Sequence, residues 1–165
     1  MFAPVLATLG YVLSPDGESV LMVHRNARPH DHAYGKYNGL GGKMEPGEDI
    51  AACMVREIRE EAGIEVTSLR FRGTLSWPGF GSNREGWFGF VFLIDGWTGT
   101  PLTSNPEGDL AWVRIRSLLA GDLPMWEGDR LWLPMLFDAD PRPFHGMEPY
   151  DGLEVVEGGW SFSRI

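Results

Sequence analysis

The sequence has little cysteine and no long apolar run. Cys53 is the only cysteine among 165 residues, so an internal disulfide is impossible and a reducing cytoplasm is the simplest setting. The apolar runs are much shorter than the roughly 20 residues of a membrane-spanning helix. The N-terminal residues carry no basic segment before an apolar stretch, so no signal peptide is expected. We therefore expect a cytoplasmic protein without a membrane partner.

Basic residues are also few. The chain has 14 Lys and Arg against 23 Asp and Glu, which gives a net charge of −9. Proteins that bind nucleic-acid polymers depend on basic patches, so a polymer is not expected as ligand. A small-molecule nucleotide is compatible with this charge, because a divalent metal ion can bridge its phosphates to carboxylates. The sequence does not indicate an oligomeric state.

Composition and length predict one domain of the α/β class. No break in composition, internal repeat or low-complexity linker divides the chain. We therefore predict a single domain over residues 1–165, in which residues 140–165 form a C-terminal extension. Strands are predicted at residues 5–13, 19–24, 65–77, 86–94, 110–115 and 153–156, and helices at 48–62 and 129–138. This mixed order indicates α/β layers.

The predicted helix over residues 48–62, which Gly63 terminates, carries three glutamates on one face. The spacing of three and four residues from Glu57 to Glu60 and Glu61 brings their carboxylates together. Like charges repel, so a compensating divalent cation is expected, and hard ions such as Mg²⁺ take oxygen ligands. A purely solvated acidic face is the alternative interpretation of these three residues alone.

The same glutamates belong to a longer spaced motif. From Gly42 to Ile64 the chain has Gly, five residues, Glu, seven residues, and then Arg-Glu-apolar-any-Glu-Glu-any-Gly-apolar. This segment resembles the Nudix box at every defined position, and a spaced pattern of this length seldom arises by chance. The resemblance implies a Nudix-type α/β/α sandwich with a mixed β-sheet. It also implies hydrolysis of a nucleoside diphosphate linked to a further moiety, with Mg²⁺ or Mn²⁺.

The resemblance assigns roles to residues of the box. Glu57, Glu60 and Glu61 are the expected metal ligands, and Gly42 or its neighbour Gly41 is able to add a backbone carbonyl. Hydrolysis requires that charge on phosphoryl oxygens is stabilised and that a water is activated, and metal ions do both. The three glutamates are therefore predicted to be catalytic through the metal.

Three other charged residues lie in or beside the box. Glu48 stands at the predicted start of the helix, where it either interacts with the helix dipole as a cap or supports the metal site. Arg56, one turn before Glu60, is expected to orient carboxylates rather than to contact substrate. Lys43 is expected to contact either a phosphate or the protein itself.

The general base has two candidates. Members of the family differ over whether a box glutamate or a glutamate of a downstream loop activates the water. Glu61 is the candidate within the box, and Glu107, in the loop sequence Ser-Asn-Pro-Glu-Gly, is the candidate outside it. A solvated loop glutamate is the alternative interpretation of Glu107.

Several segments outside the box narrow the resemblance to a subgroup. They occur in order at residues 37–43, 99–101, 125–130, 132–134 and 144–146. Together they are similar to the MutT-homologue subgroup, which hydrolyses oxidised purine nucleoside triphosphates such as 8-oxo-dGTP. The resemblance implies that the chain converts a nucleoside triphosphate to the monophosphate and pyrophosphate.

In that subgroup an Asn and a Trp-containing loop form the base pocket, which implies base contacts for Asn38, Trp126 and Asp129. The chemistry of these residues agrees. An amide offers a donor and an acceptor to a base edge, an indole offers a stacking face, and a carboxylate accepts from purine N–H groups. The alternatives are an Asx turn for Asn38, a core aromatic for Trp126 and a helix N-cap for Asp129.

The loop departs from the mammalian-type subgroup at one position. Those enzymes have two adjacent aspartates, whereas this chain has Gly128 followed by Asp129. A second carboxylate that could help to read an oxidised base is therefore absent from the loop. This position leaves the preference for an 8-oxo base open.

Four further sites carry weaker expectations. Thr8 and Arg25 lie on predicted strands that border the pocket in the subgroup, and Arg25 either meets phosphate or is an exposed arginine on its strand. The segment His30-Asp31-His32 contains residue types that bind metals, but a solvated loop is the favoured interpretation. Cys53 lies near the packing side of its helix and is expected to be a buried thiol rather than a nucleophile.

These residues leave three functions to compare. The leading one is a Mg²⁺-dependent nucleoside triphosphate pyrophosphohydrolase that acts on an oxidised or modified purine. The runner-up is another Nudix pyrophosphatase, whose substrate is an ordinary NTP, a dinucleoside polyphosphate or a nucleotide sugar. A Nudix-fold module that binds a nucleotide without cleaving it is the third. Degenerate modules lose a box glutamate, and none is lost here.

Overall fold

Eleven strands and three helices follow one another along the chain, and the computed structural model describes all residues from 1 to 165. The earlier strands are β1 (Val5–Leu13), β2 (Ser19–His24), β3 (Tyr37–Asn38), β4 (Glu65–Trp77) and β5 (Trp87–Thr98). The later strands are β6 (Ser104–Asn105), β7 (Gly108–Arg114), β8 (Phe144–Met147), β9 (Tyr150–Asp151), β10 (Glu154–Val155) and β11 (Ser161–Arg164). The helices are α1 (Ile50–Ala62), α2 (Ile115–Ala120) and α3 (Asp129–Phe137). None of these helices is long and apolar enough to cross a membrane.

Nine of the strands form one mixed sheet. Its order is β11-β8-β4-β5-β1-β2-β7-β6, and β3 pairs with β2 off this path. β1 runs parallel to β5 and β4 runs parallel to β8, whereas the other neighbours are antiparallel. A parallel pair needs a crossover connection, and the chain between β1 and β5 includes α1. The remaining two strands, β9 and β10, form a separate ribbon.

The helices cover both faces of the sheet. On one face, α1 buries Met54 and Ile58 in an apolar cluster with the sheet. On the other face, α3 buries Trp132 and Leu136, and α2 adds Leu118. Full burial of an apolar side chain of this size contributes about 1.5–3 kcal/mol, so both layers are held by their apolar sides. This arrangement of helix, sheet and helix confirms the predicted α/β/α sandwich.

Local residues set the two ends of α1. Asp49 is the N-cap, and its side chain accepts a hydrogen bond from the Ala52 amide at 2.8 Å. Gly63 follows the last turn with a φ of 70°, and its N–H donates to the Arg59 carbonyl. The predicted end of the helix is therefore confirmed. The predicted start at Glu48 was wrong by two residues, because Asp49 rather than Glu48 satisfies the free amides.

A buried arginine attaches α3 to the sheet. Arg72 of β4 is 4% exposed, and its guanidinium donates to the carbonyls of Leu136, Asp138 and Asp140. The last turn of a helix carries free carbonyls with a partial negative charge, so a cation there is favourable. This contact holds the C-terminal end of α3 and, with it, the position of Asp129 at the other end.

The C-terminal extension contributes strands to the central sheet. β8 pairs with β4, and β11 forms the edge by pairing with β8. The sequence predicted a strand in this region only at residues 153–156, where the structure has the short β10. β8 and β11 have only four residues each, which is too short for a pattern that predicts a strand, so only their partners define them.

Candidate active site

A cavity of about 400 Å³ lies beside β1, an inner strand of the central sheet. Its walls come from β1, residues 25–42, the β4–β5 hairpin and the N-terminal end of α3. It brings together seven of the residues predicted for the site, namely Thr8, Arg25, Asn38, Gly42, Glu107, Trp126 and Asp129. Lys43 does not line the cavity, and its ammonium group lies 5.2 Å from the ring centroid of Trp87.

Aromatic side chains form one wall of the cavity. Phe80, in the β4–β5 hairpin, packs edge-on against Trp126, with 5.5 Å between ring centroids, and against Tyr150, with 5.0 Å. Trp87 contacts the same Phe80 ring at 6.2 Å. Only Trp126 was predicted for the site. The other three meet through the hairpin and the C-terminal extension, and no local motif marks this long-range arrangement. Flat aromatic faces suit stacking on a base.

The polar side of the cavity contains buried groups without partners. β3 pairs Asn38 with Val23 of β2, and Asn38 Oδ1 is buried without a hydrogen bond. The Tyr11 hydroxyl is likewise buried and unpartnered. Asp129 follows the N-cap Gly128, and burial raises its pKa to about 7. The structure therefore excludes an Asx turn for Asn38 and an N-cap role for Asp129. Unpaired buried groups cost free energy, so they favour a polar ligand.

Arg25 lies one residue beyond β2 and bridges two acidic side chains. It donates to Asp31 through Nε at 2.9 Å and pairs with Glu107 at 3.2 Å. The side chains of Arg25 and Asp31 are only 19% and 17% exposed. The interpretation of Arg25 as an exposed strand residue was therefore wrong. The predicted solvated loop holds for His30 and His32, which are exposed, but not for Asp31, whose side chain is held by Arg25 at the cavity wall. Arg25 is the only Lys or Arg that lines the cavity, and two carboxylates offset its charge.

Arg56 holds three carboxylates of the box. Its guanidinium lies 2.5 Å from Glu48, 2.7 Å from Glu57 and 3.3 Å from Glu60. This contact set agrees with the expectation that Arg56 orients carboxylates. The hydrogen bond from Arg56 lowers the pKa of Glu48 to about 2. Glu48 therefore supports the box as a charged partner of Arg56 and does not cap α1.

Glu61 contacts the Gly-rich loop instead of Arg56. Its Oε2 accepts a hydrogen bond from the Gly41 amide at 2.9 Å. Burial raises the pKa of Glu61 to about 8, and the charge of Glu107 acts in the same direction. Gly41 has a φ of 152°, and a Cβ there would lie 2.0 Å from the Thr8 carbonyl oxygen. The loop therefore fits between β1 and α1 only through bare backbone.

The donor set suits a hard divalent cation. Glu57, Glu60 and Glu61 supply the carboxylate oxygens that such ions prefer. The Gly42 carbonyl already accepts a backbone amide of β1, whereas the Gly41 carbonyl accepts none of the loop's backbone hydrogen bonds. The absence of a side chain at Gly42 leaves room for the Glu57 carboxylate, which lies 2.5 Å from where a Cβ would be. The helical spacing predicted that the three carboxylates come together, but they do not form one group of metal ligands in this structure, because Arg56 holds Glu57 and Glu60 while the Gly41 amide holds Glu61.

Thr8 connects the cavity to the inner side of α1. It is a buried residue of β1 that lines the cavity, and its hydroxyl lies 3.3 Å from the sulfur of Cys53. Cys53 is fully buried, as predicted. Burial also raises the pKa of its thiol, which disfavours the reactive thiolate. Cys53 is therefore a packing residue behind the cavity.

Known proteins of similar length resemble this chain. It is 30% identical over 156 residues to the oxidized purine nucleoside triphosphate hydrolase of Danio rerio, with 94% of this chain and 93% of that protein covered. The protein of the same description from Mus musculus is 34% identical over 131 residues, with 79% and 78% covered. The crystal structure of the MutT protein from Bacillus halodurans matches with a TM-score of 0.77 and 29% identity, over 97% of both chains.

A family model extends the comparison beyond single relatives. The NUDIX domain model matches residues 3–136, a range that contains the whole box from Gly42 to Ile64 and all three helices up to Leu136. Every glutamate that the box requires is present within it. The chain therefore belongs to the Nudix family and is a MutT-like hydrolase of that family.

Proposed function

We propose that this enzyme hydrolyses a nucleoside triphosphate to the monophosphate and pyrophosphate, and that its preferred base is an oxidised purine, as in 8-oxo-dGTP. The observation that carries the proposal is the cavity, which combines an aromatic wall with a polar side that contains Asp129 and the unpartnered Asn38 Oδ1. The relatives that match over most of their length are named for this activity. Such an enzyme would remove damaged nucleotides from the cytoplasmic pool before they enter DNA, and residues 1–165 would act as a single Nudix domain.

The base would lie between aromatic rings and the polar side of the cavity. Trp126 offers a stacking face, while Asn38 offers both a donor and an acceptor to the base edge. Asp129 would accept from purine N–H groups or, when protonated, donate to a ring acceptor. Thr8 is buried and lines the cavity, so it would lie beside the bound nucleotide. These contacts favour a purine, because its fused rings offer a larger stacking face than a pyrimidine ring.

The phosphates would extend toward α1. Nudix hydrolases generally use divalent metal ions, and here Glu57, Glu60 and Glu61 would hold Mg²⁺, or Mn²⁺ in its place, with a carbonyl of Gly41 or Gly42. A bound divalent cation supplies positive charge for the phosphoryl oxygens and activates water. The protein alone offers little such charge, because Arg25 is already paired with Asp31 and Glu107.

Two glutamates are candidates to accept the proton of the attacking water. Glu61 is held by the Gly41 amide at 2.9 Å, and Glu107 is held by Arg25 at 3.2 Å. The charge of Glu107 acts on Glu61, so the two carboxyl groups lie in one electrostatic environment. A general base is most effective when its proton affinity suits the working pH. Glu61 and Glu107 are therefore both proposed as catalytic residues.

A substrate panel with Mg²⁺ and with Mn²⁺ tests the proposal. The panel should contain 8-oxo-dGTP, dGTP, dCTP, a dinucleoside polyphosphate and a nucleotide sugar, and it should score phosphate and pyrophosphate release separately. We expect pyrophosphate release with the highest kcat/KM for 8-oxo-dGTP. Preference for the nucleotide sugar or the dinucleoside polyphosphate would replace this function with another Nudix pyrophosphatase activity. Binding without turnover of any substrate would favour a non-catalytic nucleotide-binding module.

A further inference from the structure

Asp31 lies in the loop between β2 and β3, and the proposed chemistry gives it no role of its own. Its carboxylate is bound on both sides. Oδ1 accepts a hydrogen bond from the Ala33 amide at 3.0 Å, and Oδ2 accepts from two N–H groups of Arg25, with 2.9 Å to Nε. Although burial opposes ionisation, these hydrogen bonds lower the pKa of Asp31. The loop therefore places a fixed negative charge beside Arg25.

Asp31 fixes the orientation of the Arg25 guanidinium. This group is planar and has five N–H donors in a rigid arrangement. Asp31 binds the Nε and Nη2 groups, which leaves Nη1 at 3.2 Å from the Glu107 carboxylate. The backbone of Arg25 is also held, because its amide donates to the Lys36 carbonyl at 2.9 Å and its carbonyl accepts from the Gly35 amide at 2.7 Å. Asp31 therefore determines which part of the guanidinium faces Glu107.

The side chain of Glu107 depends on Arg25 for its position. The backbone of its turn is bonded to the residues that follow β2. The Ala27 amide donates to the Glu107 carbonyl at 3.3 Å, and the Asn26 side chain exchanges hydrogen bonds with Asp109 at 2.9 and 3.1 Å. The carboxylate of Glu107, in contrast, has the ion pair with Arg25 as its only polar contact within the protein. Its orientation therefore follows that of the guanidinium.

We propose that Asp31 is a positioning residue, which holds Arg25 so that Arg25 in turn keeps the Glu107 carboxylate directed into the cavity. The inference rests on the proposed function, since it requires Glu107 to act on the attacking water. A catalytic group must be held close to its productive geometry, and a displacement of about 1 Å can cost about a hundredfold in rate. Arg25 and Glu107 both line the cavity, so a change at Asp31 reaches the reacting groups through two direct contacts.

A double-mutant cycle in kcat tests the inference. Pyrophosphate release from 8-oxo-dGTP with Mg²⁺ should be measured for the unaltered protein, Asp31→Asn, Glu107→Gln and the double variant. Asparagine preserves the volume of the side chain and an acceptor for the Ala33 amide, but it lacks the charge that holds Arg25. We expect Asp31→Asn to lower kcat about tenfold with little change in KM, and to have no further effect when Glu107→Gln is present.

Asp95→Asn is the matched control, because it weakens an Arg–Asp pair of 3.0 Å outside the cavity and should leave kcat unchanged. An unchanged kcat in Asp31→Asn, a loss confined to KM, equal losses with and without Glu107→Gln, or the same loss in Asp95→Asn would overturn the inference. An unchanged kcat in Glu107→Gln would also overturn it, since Asp31 would then have no catalytic group to position.

A second measurement needs no turnover and decides the question if Asp31→Asn does not fold. The rotation of the Arg25 guanidinium about its Nε–Cζ bond can be followed by NMR in the unaltered protein. Slow rotation is expected, because three of its N–H groups face Asp31 and Glu107, and rotation as fast as that of the exposed Arg116 would overturn the inference. Slow rotation without pyrophosphate release from any triphosphate would overturn the proposed function alone. Pyrophosphate release with fast rotation of Arg25 would overturn the inference alone.

Discussion

Gly41 packs against the Thr8 carbonyl oxygen with no room for a side chain, since a Cβ at Gly41 would lie 2.0 Å from that oxygen. The same residue donates its amide to Glu61, so one backbone position contacts both β1 and α1. The alignment of the Gly-rich loop with the glutamates of the box therefore depends on the absence of one methyl group.

Gly41→Ala should destabilise the protein and abolish turnover. The new methyl group forces the loop away from β1, and overpacking of this kind costs about 3 kcal/mol. Gly47→Ala is the matched control, because Gly47 also has a positive φ of 90°, but a Cβ there would have no other heavy atom within 4 Å. Its cost should be about 1 kcal/mol of backbone strain. Urea unfolding compares the two, and equal losses would contradict the role of the contact with Thr8.

Glu60→Gln and Glu61→Gln should each lower kcat by about two to four orders of magnitude, a range typical of lost acid–base and charge roles. Both substitutions remove a carboxylate from the predicted metal site while preserving the volume of the side chain. Glu65→Gln is the control, since Glu65 pairs with Arg59 on the exposed surface. Steady-state kinetics measures kcat for each variant, and thermal unfolding shows whether the variant is folded. Near-normal rates in the folded variants would remove both residues from the metal site.

Asn38→Ala and Asp129→Ala should raise KM for purine triphosphates about tenfold, the effect of one lost hydrogen bond of about 1.4 kcal/mol. Both side chains line the cavity on its polar side, where a purine would be read. Asn83→Ala, on the exposed part of the β4–β5 hairpin, controls for general effects. Steady-state kinetics with dGTP and dCTP measures the effect, and the KM for dCTP should change little. Equal changes for both nucleotides would place the base elsewhere.

The stability of the protein should fall as the pH rises from about 5 to 9, and Glu148 should account for part of the fall. Its pKa is about 8 in the folded protein against an ordinary value of 4.5, so between these values the folded state binds more protons than the unfolded state. Within this range the protein is therefore most stable near pH 5, and its stability decreases toward pH 9 as the buried Glu148 is forced to ionise. Asp129, with a pKa of about 7, acts in the same direction.

Glu148→Gln should flatten this pH dependence. One pKa unit corresponds to about 1.4 kcal/mol, so the variant should gain stability relative to the unaltered protein toward high pH. Urea unfolding at several pH values measures the effect. Parallel curves for the two proteins would show that Glu148 titrates alike in the folded and unfolded states.

Arg72→Leu should lower the free energy of unfolding by about 3 kcal/mol, because it leaves buried carbonyls at the end of α3 without donors. Arg70→Leu on the same strand is the control, since the Arg70 side chain is mostly exposed and pairs only with Asp95. Urea unfolding should separate the two variants clearly. Similar losses would mean that the guanidinium of Arg72 does not anchor α3.

Local signals in the sequence were sufficient to predict most of α1 and its C-terminal end. The spacing of Glu57 and Glu60, and the glycine that ends the helix, depend on neighbours within a few residues. The start of the helix was misjudged because Glu48 and Asp49 are both acidic residues that the N-terminal end of a helix favours, and only the hydrogen bond from the Ala52 amide identifies Asp49 as the cap.

Contacts between residues far apart in the chain could not be predicted from the sequence. Phe80 and Tyr150 meet across 70 positions of the chain, and their contact depends on the pairing of β4 with β8. The burial of Glu148 could not be predicted either, because an isolated glutamate in a Pro- and Gly-rich segment is expected to be exposed to solvent. The interpretation of Arg25 as an exposed residue failed for a related reason, since its partner Glu107 lies far along the chain.

The parallel pairing of β1 with β5 has a consequence for the order of folding during synthesis. Val5 pairs with Trp87 and Val12 with Ile94, so β1 stays without its central neighbour until the chain has grown past these positions. Contacts of such high sequence separation form slowly. The emerging chain therefore exposes the apolar β1 while the residues up to β5 are made, and a chaperone that binds extended apolar segments would find a target there.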